Sequence, residues 1–537
     1  MFLKIENRQK NIVNIFFILL FLIGLSNVKN YGISYDEFEY RNQGFIVLNY
    51  LGKKFLPNKT KKITKAKDLN YTELDEYHKN SKNNYKIQNT AYAAIEYLFF
   101  SNSEKKTKYL FRHYLNYFIN FIALIFLYKI IRLDYSRVYG LLGTGLFISS
   151  PKLLPDFIYS PNDIWLLTFL LASFYFSRIV LLKKKLKDLF FMVFFICIAI
   201  NVRYIAMYLL LIFFFFYFYQ LRNEKKKFLN HFLITIILTY LILILITPQL
   251  WLNPFNIIGL FIDQLSFNFI DPKIMFFGNL VNSSNLPWYY LIIWILITTP
   301  TIIIFLFLFG IFYCSYLFSF FYKDLKAQNL SFIYTFAFFI IPILAFIIFR
   351  PTIFNGWRHF YFVYPFMILI SVSSVYLIKE KINKINYKKI LNYVINISLL
   401  IHFILNFNFI IQSNPYQNIY FNFFSKKYAN NFELDYFGLS NVELLKYILK
   451  NEKKDTIVIA GLNSTRPDIS MNMLNNSEKK RFSYEKLNSF DKDKIDYFLT
   501  HYIFGVNVQE LESAGLVSVY NILVGDIKIG SIYVNKK

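Results

Sequence analysis

A succession of long apolar stretches, separated by short clusters of lysine and arginine, constrains the fold of this chain more than any other feature. The basic clusters fall at 132–137, 183–187, 222–227, 323–326 and 379–389. Basic loops of this kind are retained on the cytoplasmic side of a membrane. If they share that side with the N-terminus, each apolar segment between two clusters must cross outward and return. The pattern predicts a polytopic α-helical membrane protein with about 11 transmembrane helices.

The same requirement, that each segment between two basic clusters crosses the membrane outward and returns, predicts the positions of the loops and both termini. The first, second and last spans fall near residues 12–28, 113–131 and 390–411. The N-terminus is then cytoplasmic and the C-terminus extracytoplasmic. Outward turns are predicted at 150–163, 201–203, 251–287 and 350–358.

Two domains are predicted from the fall in hydrophobicity near residue 413. Residues 1–412 form the transmembrane domain, with 29–110 as a large first extracytoplasmic loop whose middle is rich in lysine. Residues 413–537 form a small extracytoplasmic α/β domain. Its predicted elements are a capping box at Ser440 and Glu443 that opens a helix at 442–449, strands at 456–460 and 495–499, and a hairpin of 518–524 with 527–534.

Charge and cysteine content exclude several classes of function. The formal net charge is +26, but much of the lysine and arginine lies in short loops, where it sets topology and contacts anionic lipid headgroups. We therefore expect membrane lipids and not nucleic acid as partners. The two cysteines, Cys197 and Cys314, lie in apolar segments and give neither a disulfide framework nor the spacing of metal ligands.

Ionisable or hydrogen-bonding residues recur at the outward turns, close to the ends of apolar helices. Charges held near apolar surface are costly and tend to be functional, although a single one can simply extend to water. Carboxylates and cations on one outer face suit transfer of a group from a lipid-linked phosphate donor. The set comprises Asp36, Glu37, Lys152, Asp156, Asn162, Asp163, Arg203, Trp357, Arg358 and His359.

The expected chemistry needs one base and a group of cationic side chains that binds the donor phosphate. Arginine can hold a phosphate through two parallel hydrogen bonds, and one carboxylate can accept the proton of an attacking hydroxyl or amine. Glycosidases need a second carboxyl group to protonate the leaving group. A polyprenyl phosphate leaves as a stabilised anion and does not need that acid.

These residues lie in motifs that resemble the GT-C type polyprenyl-phosphate-dependent glycosyltransferases, similar to the dolichyl-phosphate-mannose protein mannosyltransferase and aminoarabinose transferase family. The first-loop motif is Gly32-Ile-Ser-Tyr-Asp-Glu37, and a second-loop motif runs from Ser150-Pro-Lys to Pro161-Asn-Asp163. Later landmarks of the resemblance are the stretches 201–203, 247–251, 286–290, 298–300, 355–360, 414–422 and 435–440.

The resemblance implies roles for individual residues and an inverting displacement at the anomeric carbon. Asp36 is the expected general base and Glu37 orients it or the acceptor, whereas Asp156 and Asp163 are the alternatives if Asp36 is structural. The donor phosphate is expected to contact Arg203, Arg358, His359 and, because Asn162 replaces an expected lysine, Lys152. Asp156, Asn162, Asp163 and Trp357 are expected to contact the acceptor or to line the site.

The sequence names no cofactor and assigns no metal ligands. A divalent metal is not required, although Asp36, Asp163 and His359 are the residues that a fold could bring together around one.

The sequence thus predicts a multi-pass glycosyltransferase of the bacterial inner membrane that acts at the outer face. Its partners would be a polyprenyl-phosphate sugar and a glycan, lipid or protein acceptor. The alternatives are a flippase or transporter of lipid-linked sugars, which would place charges near the midplane in repeated broken helices, and a non-catalytic membrane-anchored binding protein. Sugar, acceptor and oligomeric state are not encoded in any recognisable motif.

Overall fold

A computed structural model describes residues 2–57, 89–100, 103–259, 271–318, 327–462, 464–486, 494–503, 511, 513 and 515–536 of the chain. The predicted lysine-rich middle of the first loop lies mostly outside these residues, as does the basic cluster at 323–326.

The first part of the chain is helical, and most of its long helices are predominantly apolar, as expected of helices surrounded by lipid and by one another. The helices are α1 (Phe2–Asn27), α2 (Asp36–Phe55), α3 (Thr90–Phe100), α4 (Lys105–Asp134), α5 (Arg137–Ile148), α6 (Asp156–Tyr159), α7 (Pro161–Lys183), α8 (Leu186–Val202), α9 (Tyr208–Gln220), α10 (Lys225–Ile246), α11 (Pro248–Leu252), α12 (Tyr290–Thr298), α13 (Thr301–Phe318), α14 (Ala327–Phe349), α15 (Tyr364–Ile382) and α16 (Lys388–Gln412).

Within the described residues, 7 helices are long and apolar enough to cross a membrane by length and composition. Helices α5, α8, α9 and α13 are shorter. The polytopic α-helical fold is confirmed and the chain is a multi-pass membrane protein, while the number of eleven spans stays a prediction.

The basic clusters that the structure describes share one end of the helical bundle. At that end Arg178 pairs with Asp134 at 2.7 Å and Lys184 pairs with Glu224 at 2.7 Å. The described parts of the predicted outward turns lie at the other end, called here the site end. A short hairpin of β1 (Lys273–Phe276) and β2 (Asn279–Asn282) also stands there.

The first outer segment is more helical than predicted. Asp36 begins the 20-residue helix α2 and does not lie in an extended loop. Helix α4 begins at Lys105, eight residues before the predicted second span. Its first turns stay helical although they are polar, because Lys108, Arg112 and His113 are buried against neighbouring segments of the site end.

After α16 the chain forms a mixed α/β region that contains a five-stranded sheet. The elements are α17 (Asn441–Asn451), β3 (Ile457–Gly461), α18 (Pro467–Ser470), α19 (Asn476–Lys480), β4 (Phe482–Glu485), β5 (Tyr497–His501), β6 (Leu516–Val524) and β7 (Ile527–Asn535). The strand order in the sheet is β4-β3-β5-β7-β6. Strands β4, β3 and β5 run parallel, and β7 is antiparallel to β5 and β6. Helix α17 packs on β5 and β7.

The C-terminal α/β region is confirmed, but its predicted capping box is wrong. Ser440 stands at the N-cap of α17 without a side-chain cap hydrogen bond. Glu443 instead accepts hydrogen bonds from the hydroxyls of Tyr416 (2.7 Å) and Tyr520 (3.0 Å). A capping box stands at α19, between Asn475 and Glu478, and strand β4 was not predicted.

The described residues after α16, called here the C-terminal module, are not packed separately from the membrane helices. Buried apolar side chains of both parts belong to one continuous core. The ring of Phe437, for example, lies 5.2 Å from that of Tyr159 in the second outward turn.

Candidate active site

Four ionisable residues meet at the site end because each occupies the end of a helix there. Asp36 begins α2 and Asp163 lies in the first turn of α7. Arg203 directly follows α8, and Arg358 begins a short 3-10 helix that leads into α15. The fold thus brings together residues that the sequence places in four different turns.

The four residues form a continuous chain of ion pairs. Nη1 of Arg358 lies 2.6 Å from Oδ2 of Asp36 and 3.5 Å from Oδ2 of Asp163. Nη2 of Arg203 donates to Oδ1 of Asp163 at 2.6 Å. Asp163 also accepts a hydrogen bond from the hydroxyl of Ser160 at 3.0 Å. Asp163 is therefore the shared anchor of both guanidinium groups.

Solvent reaches the two ends of this chain of ion pairs but not the two residues in its middle. The side chain of Asp36 is 37% exposed and that of Arg203 is 19% exposed, whereas Asp163 and Arg358 are almost fully enclosed. Among the described residues, Nε of Arg203 and Nε of Arg358 have no hydrogen-bond partner. Buried N–H donors without a partner are costly, and they are ready to receive an anion.

Asp36 is placed by the residue that follows it. The carboxylate of Glu37 accepts the backbone N–H of Ser34 at 2.9 Å, and its oxygens lie 3.1 and 3.2 Å from Nε2 of His113. Arg112 donates to the backbone carbonyl of Glu37 at 2.8 Å. Because Glu37 is fully buried in these contacts, its position suits orientation of the Asp36 turn more than contact with a substrate.

The position of Arg203 follows from the way in which α8 ends. Asn201 donates to the carbonyl of Ile246 at 3.0 Å and accepts the N–H of Thr90 at 3.2 Å, which ties the end of α8 to α10 and α3. Arg203 itself has an extended backbone. The side chain therefore leaves the helix end toward Asp163.

Arg358 is held by aromatic rings and by a turn that needs glycine. Gly356 has φ +67, a left-handed value that other residues adopt only at a cost, and its N–H donates to Glu433 at 2.9 Å. The guanidinium carbon of Arg358 lies 4.9 Å from the ring centre of Phe437 and 5.3 Å from that of Phe354. These contacts fix the cation while leaving its edge for anions.

Trp357 is a buried structural neighbour of this turn. Its indole N–H donates to the hydroxyl of Thr298 at 2.8 Å, and its ring meets Tyr361 edge to face at 4.8 Å. These contacts support the turn of Arg358, and the acceptor-lining role of Trp357 stays a prediction.

Lys152 is buried in the second outward turn. Its ammonium donates to the carbonyl of Asn418 at 2.6 Å and lies over the rings of Trp294 and Tyr436, at 5.4 and 5.5 Å. Burial lowers the pKa of Lys152 to about 8. Lys152 and Arg358 are both almost fully enclosed, and contact of Lys152 with the donor phosphate stays a prediction.

Asp156 and Asn162 are both buried in the second outward turn. Burial, and to a smaller extent the charge of Asp163, raise the pKa of the Asp156 carboxyl well above its ordinary value. Neither Asp156 oxygen has a hydrogen bond of normal geometry in the described residues, although Ser160 lies close enough to lower that pKa slightly. Asn162 occupies the first turn of α7 beside Asp163.

His359 lies beside the ion-pair chain without joining it. Its ring meets Phe354 edge to face at 4.9 Å, and Arg203 and Arg358 are close enough to act on it electrostatically. In the described part of the chain, no group of three or more His, Cys, Asp and Glu residues could hold a metal ion. The suggested trio of Asp36, Asp163 and His359 is therefore not assembled as a metal site.

Sequence reasoning missed the residues that support the site. Arg112 and His113 form a polar pair where an apolar span was predicted to start. Ionisable residues at such a position indicate a functional or supporting role, so the pair could have been found from the sequence. Glu433 gave no such signal, because it lies beyond the last membrane helix in a segment read as part of a separate domain. Phe437 lies in the stretch 435–440, which the resemblance singled out without giving Phe437 a role. Their roles depend on the packing of the C-terminal module against the helices.

Sequence comparison supports the resemblance over one segment. The family model described as dolichyl-phosphate-mannose-protein mannosyltransferase matches residues 113–251. This segment contains Lys152, Asp156, Asn162, Asp163 and Arg203. The resemblance to that family is confirmed there. None of the curated proteins matches the chain by sequence.

Three solved structures that are similar to this chain share little sequence with it. ArnT from Cupriavidus metallidurans in the apo state has 8% identity and a TM-score of 0.48, covering 97% of this chain and 98% of that chain. ArnT bound to undecaprenyl phosphate has 8% identity and a TM-score of 0.44, covering 96% and 97%. The archaeal oligosaccharyltransferase AglB from Archaeoglobus fulgidus, with an inhibitory peptide and a dolichol-phosphate, has 11% identity and a TM-score of 0.46, covering 79% and 61%.

Proposed function

We propose that the chain is a membrane glycosyltransferase that moves a sugar from a polyprenyl-phosphate-linked donor to a glycan, lipid or protein acceptor. The observation that carries the proposal is the ion-pair chain of Arg203, Asp163, Arg358 and Asp36, which ends on one part-exposed carboxylate. It holds the base and the phosphate cradle that the reaction needs, at one end of a helical bundle. The sequence match over residues 113–251 supports the same class of reaction.

The ion-pair chain also indicates how donor binding prepares the base. In the described state Asp36 is the closest carboxylate to Nη1 of Arg358. A donor phosphate that binds Arg203 and Arg358 competes with Asp36 for the same guanidinium. Asp36 is then released and can accept the proton of the acceptor.

The chemical step is a single inverting displacement. The acceptor oxygen or nitrogen forms a bond to the anomeric carbon while the bond from that carbon to the phosphate oxygen breaks. The proton of the acceptor goes to Asp36, and the polyprenyl phosphate leaves with its negative charge against Arg203 and Arg358. No second acid is needed, because the leaving group is already a stable anion.

An apolar groove supports a donor with a lipid chain. A cavity of about 450 Å³ runs between α9 and α14 and is lined by Tyr208, Leu211, Phe215 and Ala337, among others. Tyr208 lies at its site end, where its ring is 5.8 Å from that of Phe362 in the 3-10 helix of Arg358. One end of the groove thus lies against the 3-10 helix that Arg358 begins, and the groove continues along α9, as a polyprenyl chain attached to the bound phosphate would.

A transporter of lipid-linked sugars is the second candidate. A translocation path would place ionisable groups between the two ends of the bundle. The four site residues instead lie at helix termini on one side, and Asp134, Arg178, Lys184 and Glu224 lie at the opposite end. This arrangement favours chemistry at one surface.

We further propose that the site faces the extracytoplasmic side of a bacterial inner membrane. The basic clusters among the described residues lie at the opposite end of the bundle, which suits the cytoplasmic side. On this basis residues 1–412 hold the transferase site, with the N-terminus in the cytoplasm, and residues 413–537 form an extracytoplasmic domain that covers it.

The test uses purified protein in proteoliposomes with a panel of polyprenyl-phosphate sugars labelled in the sugar, and a membrane extract as acceptor. A transferase makes a labelled product that no longer extracts with the polyprenyl lipid. A transporter moves the intact labelled lipid to the other leaflet without forming product. Product formation supports the proposal, whereas translocation alone or no consumption of any donor contradicts it.

A further inference from the structure

Residues 31–35, which lead into Asp36, are enclosed by segments from beyond the last membrane helix. The hydroxyl of Tyr31 donates to Gln417 at 3.1 Å. Gly32 lies so close to Leu439 that an added Cβ would stand 2.7 Å from its carbonyl oxygen. Ile33 is buried in a cluster with Val442 and residues of α18. The turn that carries the expected base is therefore built partly from the C-terminal module.

Tyr35 makes the most specific of these contacts. Its hydroxyl accepts hydrogen bonds from the side chain of Asn441 at 2.8 Å and from the backbone N–H of Arg466 at 3.0 Å. Its ring meets that of His501 edge to face at 5.4 Å. Tyr35 thus inserts into the C-terminal module between α17, the start of α18 and β5.

One short segment of the module touches both Tyr35 and the site cations. Tyr436 lies over Lys152 and Phe437 lies over Arg358. The next residue, Gly438, has φ +67, and an added Cβ would stand 2.4 Å from the hydroxyl oxygen of Tyr35. Asp435 holds this turn by accepting the N–H groups of Leu439 and Ser440. Phe437, which contacts Arg358, and Gly438, which packs against Tyr35, are therefore parts of one turn.

We propose that Tyr35 is a positioning residue through which the C-terminal module sets the position of Asp36 relative to Arg358. The inference rests on the proposed function, since it assigns Tyr35 a role in the same reaction. Tyr35 does not itself contact the donor or acceptor. It acts because it precedes Asp36 directly and is anchored in a module that also contacts Arg358.

The first test compares Tyr35→Phe with Tyr497→Phe. Tyr497 is a tyrosine of the same module whose hydroxyl donates to Glu452 at 3.0 Å, so both variants lose one phenolic hydroxyl. Tyr35→Phe should lower kcat by about 10- to 100-fold and leave the KM for the lipid donor within about twofold, since the phosphate cradle is intact. Tyr497→Phe should keep the kcat of the wild type.

A purely structural role predicts a different result. Tyr35→Phe would then lower the thermal midpoint and regain the wild-type kcat at a lower assay temperature, and that outcome overturns the proposal. Asn441→Ala removes one donor to the same hydroxyl and should lower kcat in the same direction. Combined with Tyr35→Phe it should add nothing further, because both changes remove one interaction. An additive double variant also contradicts the proposal.

A readout without turnover separates this inference from the proposed function. Hydrogen–deuterium exchange of the peptide containing Ser34 and Glu37 should be faster in Tyr35→Phe than in the wild type and in Tyr497→Phe, because the turn loses its anchor. If the wild type transfers no sugar but exchange behaves in this way, the proposed function fails and the anchoring stands. Unchanged exchange overturns the anchoring whatever the activity.

Discussion

Arg358 and Asp36 are 322 positions apart in the chain, and their side chains meet at 2.6 Å. The pair joins the first outward turn to the last helices of the bundle. Arg358 also reaches Asp163 at 3.5 Å, and Arg203 holds the other oxygen of Asp163. We interpret this as the resting state of the site, in which Asp36 pairs with the guanidinium group that later binds the donor phosphate.

Arg358→Lys tests the role of the guanidinium. Lysine keeps the charge but loses the planar group that can pair with two oxygens at once. We expect kcat/KM to fall by about 100-fold, with a raised KM for the lipid donor. Transfer of a labelled sugar by purified protein measures the effect.

Arg178→Lys is the matched control for this prediction. Arg178 is equally enclosed and pairs with both oxygens of Asp134, at 2.7 and 3.1 Å, at the opposite end of the bundle. We expect a comparable loss of thermal stability with kcat/KM near the wild-type value. Equal losses of activity in both variants would show that the effect of Arg358→Lys is only structural.

Leu211→Trp tests the apolar groove. Leu211 lines the groove and is 73% exposed, so tryptophan can fill the cavity without disturbing the core. We expect the KM for a long-chain donor to rise about tenfold, the effect of about 1.4 kcal/mol of lost binding. A donor with a short prenyl chain should be affected less.

Leu245→Trp provides the comparison, since Leu245 is 74% exposed on α10 and does not line the groove. It should leave both KM values unchanged. If Leu211→Trp also changes neither KM, the polyprenyl chain does not bind in this groove.

The buried carboxyl of Glu433 predicts a pH dependence of stability. Burial raises its pKa from the ordinary value of 4.5 to about 8. A group whose pKa is higher in the folded state contributes stability that is present at low pH and is lost as the pH rises through the folded value. Between about pH 4.5 and pH 8, ionisation of Glu433 should therefore make the protein progressively less stable.

Glu433→Gln should remove this contribution, because glutamine cannot ionise and can still accept the N–H of Gly356. Thermal midpoints in detergent from pH 5 to pH 8.5 should fall less steeply for the variant than for the wild type. Parallel curves would contradict a raised pKa at Glu433.

The sequence predicted the parts of the site that lie at helix ends, and it missed those that depend on tertiary packing. The hydrophobic pattern makes four site residues recognisable, because each interrupts an apolar stretch. They are Asp36, Asp163, Arg203 and Arg358. Their mutual contacts could be inferred only as a shared side of the membrane. Distances between them depend on how the helices pack, which no local pattern encodes.

The C-terminal module shows where local patterns fail. Lys152 has the position of a site cation in the sequence and lies over two aromatic rings in the structure, and its contact with the donor phosphate stays a prediction. The segment around Phe437 reads as the start of a separate domain, yet it lies against Arg358. The predicted capping box at Ser440 failed for the same reason, since Tyr416 and Tyr520 take the carboxylate of Glu443.

The most direct test of the account is the rate of sugar transfer from a polyprenyl-phosphate donor by the wild type, Asp36→Asn and Glu224→Gln. Glu224 is a part-exposed carboxylate at the opposite end of the bundle, paired with Lys184 at 2.7 Å, and is the control for loss of one charge. We expect Asp36→Asn to lower kcat by about 10²- to 10⁴-fold, with donor binding retained and Glu224→Gln fully active. Transfer by Asp36→Asn at the wild-type rate would contradict the account, because Asp36 would then not be the base.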